Sequence, residues 1–222
     1  MARALAAAEV RRRRGRPARL SREAILDAGL ALLEREPDEP LTLARVADEV
    51  GAVPAALYRH VGSQAELLDG VLARVIGGIP LEIRRRARWE TQLRDWMTGL
   101  RAHLLRYPAA LRLIGSRDRT SPPWLELAAS LVAILEGTRL RGAELARVQL
   151  WVMQTTMGVV IEEAAVALPD QIGAARASLR GMSAGGREKL APLLPHLAAL
   201  DADAFFDFVI EQTLAALKGR LE

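Results

Sequence analysis

Apolar residues recur along this chain at intervals of three and four, and no stretch keeps a convincing interval of two. The pattern therefore predicts helices throughout. Ile25, Ala28, Gly29 and Leu32 share one face of a first helix. Ser21 can cap it, and Glu23 lies in its first turn, where the helix dipole favours an anion. Pro37 and Pro40 fall in the connection that ends it. Thr42 opens a second helix, in which Leu43, Val46, Ala47 and Val50 stand at i, i+3, i+4 and i+7. Gly51 interrupts the pattern. Pro54 then starts a third, short helix predicted to reach about His60, with proline in the first turn where no donor is lost. Ser63-Gln64-Ala65-Glu66 reads as a capping box opening a fourth helix toward Ile76. Gly77, Gly78 and Pro80 mark a hinge or a domain boundary.

Beyond that boundary Trp89, Leu93, Trp96, Leu100, Leu104 and Tyr107 line one side of an amphipathic helix stopped by Pro108. Residues 109–115 form a short helix and Ser116 to Pro123 a loop. Further helices are predicted from Trp124 to about Gly137, from Ala143 to Leu168, and from Asp203 to about Lys218. Residues 169–186, rich in Gly, Ser and Ala, are expected to be a mobile loop, and Arg187 to Leu200 a helix interrupted by Pro192 and Pro195. The fold class is all-α, with about nine to ten helices. The longest uncharged run, Val148 to Ile161, is 14 residues and contains Gln149, Gln154, Thr155 and Thr156, so no membrane span is expected. The arginine-rich first twenty residues lack the apolar core of a signal peptide, which points to a cytoplasmic protein.

One spacing carries chemistry. Ala47, then three residues, Gly51, then five residues, Leu57 is the arrangement of a helix-turn-helix. A small residue is needed where the two helices cross, a glycine permits a left-handed turn, and a leucine seats the second helix on the core. The outward residues of that helix are then free for a major groove about 12 Å wide. On spacing alone, a helical hairpin with no DNA role fits as well.

Residues 22–68 resemble the DNA-binding domain of the TetR family of transcriptional repressors. The carriers are Ala24-Ile25-Leu26-Asp27-Ala28, Thr42-Leu43-Ala44-Arg45-Val46-Ala47, and Leu57-Tyr58-Arg59-His60-Val61 followed by Glu66-Leu67-Leu68. The resemblance implies that Tyr58, His60 and Thr42 contact phosphates and set register. It places Pro54, Ala55 and Ala56 against base edges, where they offer no hydrogen bonds and would read thymine methyls and shape. Arg59 is placed to add a guanine contact. Two residues depart from the family pattern: Val53 stands where Ser or Thr is common and Gln64 where Lys is common, and each removes a phosphate contact.

The resemblance divides the chain into a flexible basic arm (1–20), a helix-turn-helix domain (21–77) and a helical ligand-binding and dimerisation domain (78–222). Charge sharpens this division. The arm holds seven Arg and one Glu, a net +6, whereas residues 21–78 hold five Arg and ten carboxylates, a net −5. The basic excess is thus a tail and not a general surface property. Within it Arg14-Gly15-Arg16-Pro17 resembles the core of an AT-hook, which lies in a narrow minor groove with its arginines inward. A solvated basic tail held only by phosphate attraction is the alternative.

The C-terminal part resembles the tetracycline-repressor subgroup through Gly158-Val159-Val160-Ile161-Glu162-Glu163 and Phe205-Phe206-Asp207-Phe208-Val209-Ile210. It implies a homodimer in which Val159, Glu162, Phe205, Phe206, Val209 and Ile210 pair with their symmetry mates in a four-helix bundle. Ordinary intrachain core is the other reading of those apolar residues. The subgroup's drug- and metal-contacting histidine falls at Leu113 or Ile114, both apolar, so neither tetracycline nor magnesium carries over and no cofactor is expected. A pocket for an apolar or aromatic effector is expected among Trp96, Leu100, His103, Leu113, Ile114, Leu131, Trp151 and Gln154, residues that would serve equally as core. No zinc spacing, nucleophile triad or phosphate loop appears in the sequence, and there is no cysteine. The leading expectation is a repressor that binds a palindromic operator in double-stranded DNA as a dimer and is released by a small molecule. A DNA-binding regulator without a ligand is the second reading, and a helical enzyme or carrier retaining a helix-turn-helix scaffold the third.

Overall fold

In the computed structural model the described residues are 20–80, 86–114, 121–166 and 168–220. They form twelve α-helices and no strand. The chain divides into two compact units between Arg74 and Val75.

The first unit holds α1 (Arg22–Arg35), α2 (Leu43–Glu49), α3 (Pro54–Leu57) and most of α4 (Gln64–Gly77). Its core is the expected apolar stripes brought together: Ile25, Leu32 and Leu33 from α1, Val46 and Ala47 from α2, Leu57 from α3, and Leu67 and Val71 from α4. Gly29 lets α1 approach α4 closely, since a Cβ there would lie 2.7 Å from Val71 Cγ2. Ser21 caps α1 as predicted, its Oγ accepting from the Ala24 N–H (3.1 Å). At α4, Ser63 Oγ accepts from Glu66 N–H (3.1 Å), and the Glu66 carboxylate accepts from Gly62 N–H (2.8 Å), one residue before the partner a capping box uses.

The second unit is built around a long helix. It holds α5 (Trp89–Leu104), α6 (Pro108–Ile114), α7 (Pro122–Leu135), α8 (Gly142–Ala165), α9 (Leu168–Ser178), a 3₁₀ turn (Leu179–Gly181), α10 (Ala184–Leu190), α11 (Leu194–Ala198) and α12 (Ala202–Lys218). α8 packs against α5, α6, α7 and α12. It buries Val148, Val152, Met153, Met157 and Val160 against them. Polar groups inside this unit are met locally: Thr156 and Thr213 donate to carbonyls one turn back (2.8 Å each), and Trp96 Nε1–H donates to Ser130 Oγ (2.9 Å). Among the described residues no helix is long and apolar enough to cross a membrane, and no group of His, Asp and Glu is arranged to hold a metal ion.

The structure corrects two expectations here. Residues 169–186, expected to be a mobile loop, are mainly helical, in α9, the 3₁₀ turn and the start of α10. Alanine and arginine favour helix strongly, and one buried residue, Ile172, anchors the segment. The Gly and Ser residues gather near its breaks, and Ser183 caps α10 through the Gly186 N–H (3.2 Å). Pro192 and Pro195 lie in the turn before α11 and in its first turn, so the expected single interrupted helix is two. This subdivision and the added helix α9 raise the helix count to twelve.

Three helices of the second unit meet at Arg101. Its guanidinium on α5 donates to both carboxylate oxygens of Glu163 on α8 (2.8 and 2.6 Å) and pairs with Asp203 on α12 (2.7 Å). It also stacks over the Phe206 ring, 4.9 Å from the centroid. The side chain is only 14% exposed. The hydrogen bonds it donates to Glu163 outweigh its desolvation and hold it charged. Removing one member of such a group strands the others. Arg101→Ala should cost about 3 kcal/mol in urea unfolding, and Arg101→Met with Glu163→Leu should recover most of it. Equal losses in the single and double variants would show that the cost is not that of stranding Glu163.

Candidate functional site

The turn between α2 and α3 is dictated by backbone groups that helix α2 leaves unpaired. Thr42 Oγ1 caps its start, accepting from the Arg45 N–H (3.3 Å). At its end the Ala52 N–H returns to the Ala47 carbonyl (2.8 Å) and the Gly51 N–H to that of Asp48 (3.1 Å). These two bonds make a Schellman motif, which requires a left-handed residue between them, and Gly51 has φ +69°. Ala47 is fully buried where the helices cross. Leu57 is fully buried as well, seating α3 as the spacing predicts. Regular helix ends at Leu57, earlier than the expected His60; the next residues continue as tighter turns, with the His60 N–H on the Leu57 carbonyl (2.9 Å).

This construction leaves Pro54, Ala55, Tyr58 and Arg59 exposed, with Thr42, Ala56 and His60 half-buried. Val53 is 66% and Tyr58 56% exposed, large values for apolar and aromatic side chains that nothing in this unit covers. Four of the five arginines described in this unit are paired with its own carboxylates. Arg22 meets Glu66 (3.6 Å), Arg74 meets Asp27 (2.7 Å), Arg35 meets Glu36 and Glu49 (2.9 and 2.8 Å), and Arg45 meets Glu36. Among the described residues Arg59 has no such partner. Hydrogen bonds from Arg35 and then Arg45 hold the Glu36 carboxyl below the usual range, and Arg35 does the same for Glu49. Their contribution to folding is complete at neutral pH and fades as the pH falls through their lowered pKa values. Arg14 and Arg16 lie outside the described residues.

The sequence alone marks Gln64 only as a missing cation. Its amide instead bridges the start of α2, accepting from the Leu43 N–H (2.9 Å) and donating to the Leu41 carbonyl (2.6 Å). The available signal is local: Ser63 and Glu66 already serve the α4 cap, which leaves the Gln64 side chain free to serve another element.

In the second unit the nominated pocket residues separate. Trp96, Leu100, Ile114 and Leu131 are buried together in the core, with Leu113 and His103 half-buried at its margin. His103 Nε2 donates to the Val75 carbonyl (2.7 Å), and its ring lies 5.4 Å from that of Tyr107. Trp151 and Gln154 do not join them. They project from the exposed side of α8, roughly opposite the Val148–Val152 stripe, because a 3.6-residue period carries them half a turn away. Leu150, 53% exposed, lies beside them.

The nominated interface residues also divide. Phe206 and Ile210 face the chain's own core, at 2% and 0% exposed, where Phe206 meets Arg101. Phe205 and Phe208 point outward and stack on each other at 6.4 Å, with Val209 half-buried beside them. Phe208, 57% exposed, is not among the residues that the resemblance places at the interface. A cavity of about 810 Å³ opens on this face, lined by Gly158, Val159, Glu162, Val166, Leu200 and Phe205 among others. It includes three nominated interface residues and none of the nominated pocket residues.

Known proteins share both units. The pattern described as "Bacterial regulatory proteins, tetR family" matches residues 25–71, and that described as "Tetracyclin repressor-like, C-terminal domain" matches residues 84–221. An HTH-type transcriptional regulator of Saccharopolyspora erythraea is 27% identical over 154 residues, which are 69% of this chain and 65% of that protein. The chain therefore spans just under two thirds of that relative's length. A possible TetR family transcriptional regulator from Streptomyces coelicolor has the same fold, with a TM-score of 0.74 and 26% identity over 90% of this chain and 99% of its own. So does the Streptomyces coelicolor protein ActR in complex with actinorhodin, with a TM-score of 0.74 and 23% identity over 92% of this chain and 98% of its own. With the C-terminal pattern alone running through more than half of its length, this chain belongs to the TetR family of transcriptional regulators.

Proposed function

We propose that the protein is a dimeric repressor that binds a two-fold symmetric operator and is released by a small apolar or aromatic molecule. The observation that carries the DNA reading is the exposed outer face of α3 and of the turn that continues it, held on a Schellman turn and presenting Pro54, Ala55, Tyr58 and the unpaired Arg59. Tyr58, His60 and Thr42 serve as phosphate contacts that set register, and Pro54, Ala55, Ala56 and Arg59 as the reading surface. Each subunit has one such helix, so specific affinity needs two, spaced about 34–36 Å apart to enter successive major grooves. The outward face of α8 and α12 is the surface for the second copy. It joins Trp151, Gly158 and Val159 to Phe205, Phe208 and Val209 and carries the open cavity. Exposed apolar area of this kind is characteristic of subunit interfaces.

The effector reading rests on the buried cluster of Trp96, Leu100, Ile114 and Leu131, and on the actinorhodin complex of ActR, a protein of this fold. Within the second unit His103 on α5 holds the Val75 carbonyl, so a ligand that repacks α5 would disturb that contact. Linkage then requires operator DNA to weaken effector binding by the factor by which effector weakens operator binding. A mobility-shift assay with DNA upstream of the protein's own gene tests the first part, and a screen for compounds that release that DNA tests the second.

Three outcomes are expected. Phe208→Glu should yield monomers in sedimentation and abolish operator binding while leaving the fold intact, whereas Ile210→Glu, at a fully buried position, should unfold the chain. A dimeric Phe208→Glu protein would place the interface elsewhere. Arg59→Ala should cost about tenfold to a hundredfold on the operator and relax preference at one base pair, while Tyr58→Phe and His60→Ala weaken all sequences alike. The reverse pattern would overturn the assignment of roles on α3. Removing residues 2–19 takes away seven arginines and should flatten the dependence of affinity on salt, by about 0.9 in the log–log slope for each phosphate that is no longer neutralised. Loss concentrated on operators with A·T-rich flanks would identify the arm as a minor-groove reader, and equal loss on G·C-rich flanks as a general electrostatic tether.

A further inference from the structure

Thr42 sits between two leucines, Leu41 and Leu43, whose side chains are each 6% exposed in the core of the first unit. The backbone groups on either side of it, the Leu41 carbonyl and the Leu43 N–H, both turn to the amide of Gln64. The Leu43 N–H is one of the donors that the first turn of α2 cannot pair within the helix, and the Arg45 N–H, another, is already taken by Thr42 Oγ1. An amide can satisfy a donor and an acceptor at once, and these two partners admit only one orientation of it. Gln64 is itself fixed, since it opens α4, whose Leu67 and Val71 are fully buried. The start of α2 is therefore tied to the start of α4 by a bidentate link that brackets Thr42.

We infer that Gln64 is a positioning residue for operator binding, holding Thr42 in place for its phosphate without touching DNA itself. The inference rests on the reading of Thr42 as a DNA contact. A lysine at position 64 has no acceptor for the Leu43 N–H, so it would give up this brace in exchange for a charge that reaches outward. Being neutral, Gln64 releases no counterion, so its contribution should be insensitive to salt. Loss of a brace of two hydrogen bonds should weaken the operator complex by about tenfold.

The test uses the full-length protein and its own operator, with affinity measured across a salt series and melting temperature recorded for each variant. Gln64→Leu should bind about tenfold more weakly with an unchanged salt slope. Combined with Thr42→Ala it should add little further loss, because the residue it positions is gone. Should Gln64→Leu fold poorly, Gln64→Lys provides the same comparison. It should steepen the slope by about 0.9 and make affinity nearly indifferent to Thr42→Ala. Unchanged affinity for Gln64→Leu would overturn the inference. So would a shallower slope, which would mean that the wild-type residue itself meets a phosphate, and so would full additivity with Thr42→Ala in both backgrounds. Failure of the wild-type protein to bind any such DNA would instead remove the reading of Thr42 on which the inference stands.

Discussion

A helix that stops must find partners for its last carbonyls, and in the first unit this constraint organises everything that faces outward. The Ala47 and Asp48 carbonyls are met only if the chain reverses within five residues, and the reversal passes through Gly51 at positive φ. The direction of α3 follows from that turn, and the burial of Leu57 then decides which of its sides is left for solvent. The apolar core supplies most of the stability, while these few backbone bonds determine where the exposed face of α3 points.

Electrostatics divides the work differently from packing. A domain read as meeting a polyanion carries a net negative charge, and most of its arginines are spent on its own carboxylates. Pairs this exposed contribute little to stability. Their effect is to neutralise acidic groups that would otherwise repel phosphates, leaving Arg59 as the one described arginine of this unit without a carboxylate partner. In the second unit the half-buried Arg101 does the opposite, joining three helices where charge is screened less by solvent.

Much of this architecture is legible in the sequence because it rests on short-range signals. The caps at Ser21 and Thr42, the glycine at position 51 and the apolar spacing of α5 each report a local necessity, and each recurs in the structure. Other features depend on information that a linear pattern lacks. A helical period shows that Trp151 and Val152 diverge, but not which of them meets the chain's own core. Phe205 and Phe206 are adjacent and chemically identical, yet one is 37% exposed and the other 2%. The segment 169–186 suggests a loop only while glycine and serine are weighed as loop formers throughout; the alanines and arginine between them form α9. Gln64 escapes for a further reason: its partners are 21 and 23 residues away, and only the folded chain brings them within reach.

The small side chains on α3 have an evolutionary consequence. Pro54 and Ala55 make no contribution to the buried core, and the turn that aims them is held by backbone bonds that lie outside their side chains. If α3 reads DNA as proposed, replacing Ala55 with a residue that bears a hydrogen-bonding group would change what is read without disturbing how it is held. On that reading, duplicated copies of such a gene could acquire new operators in single steps, since the positions assigned to recognition are separated in the chain from those whose change would cost stability.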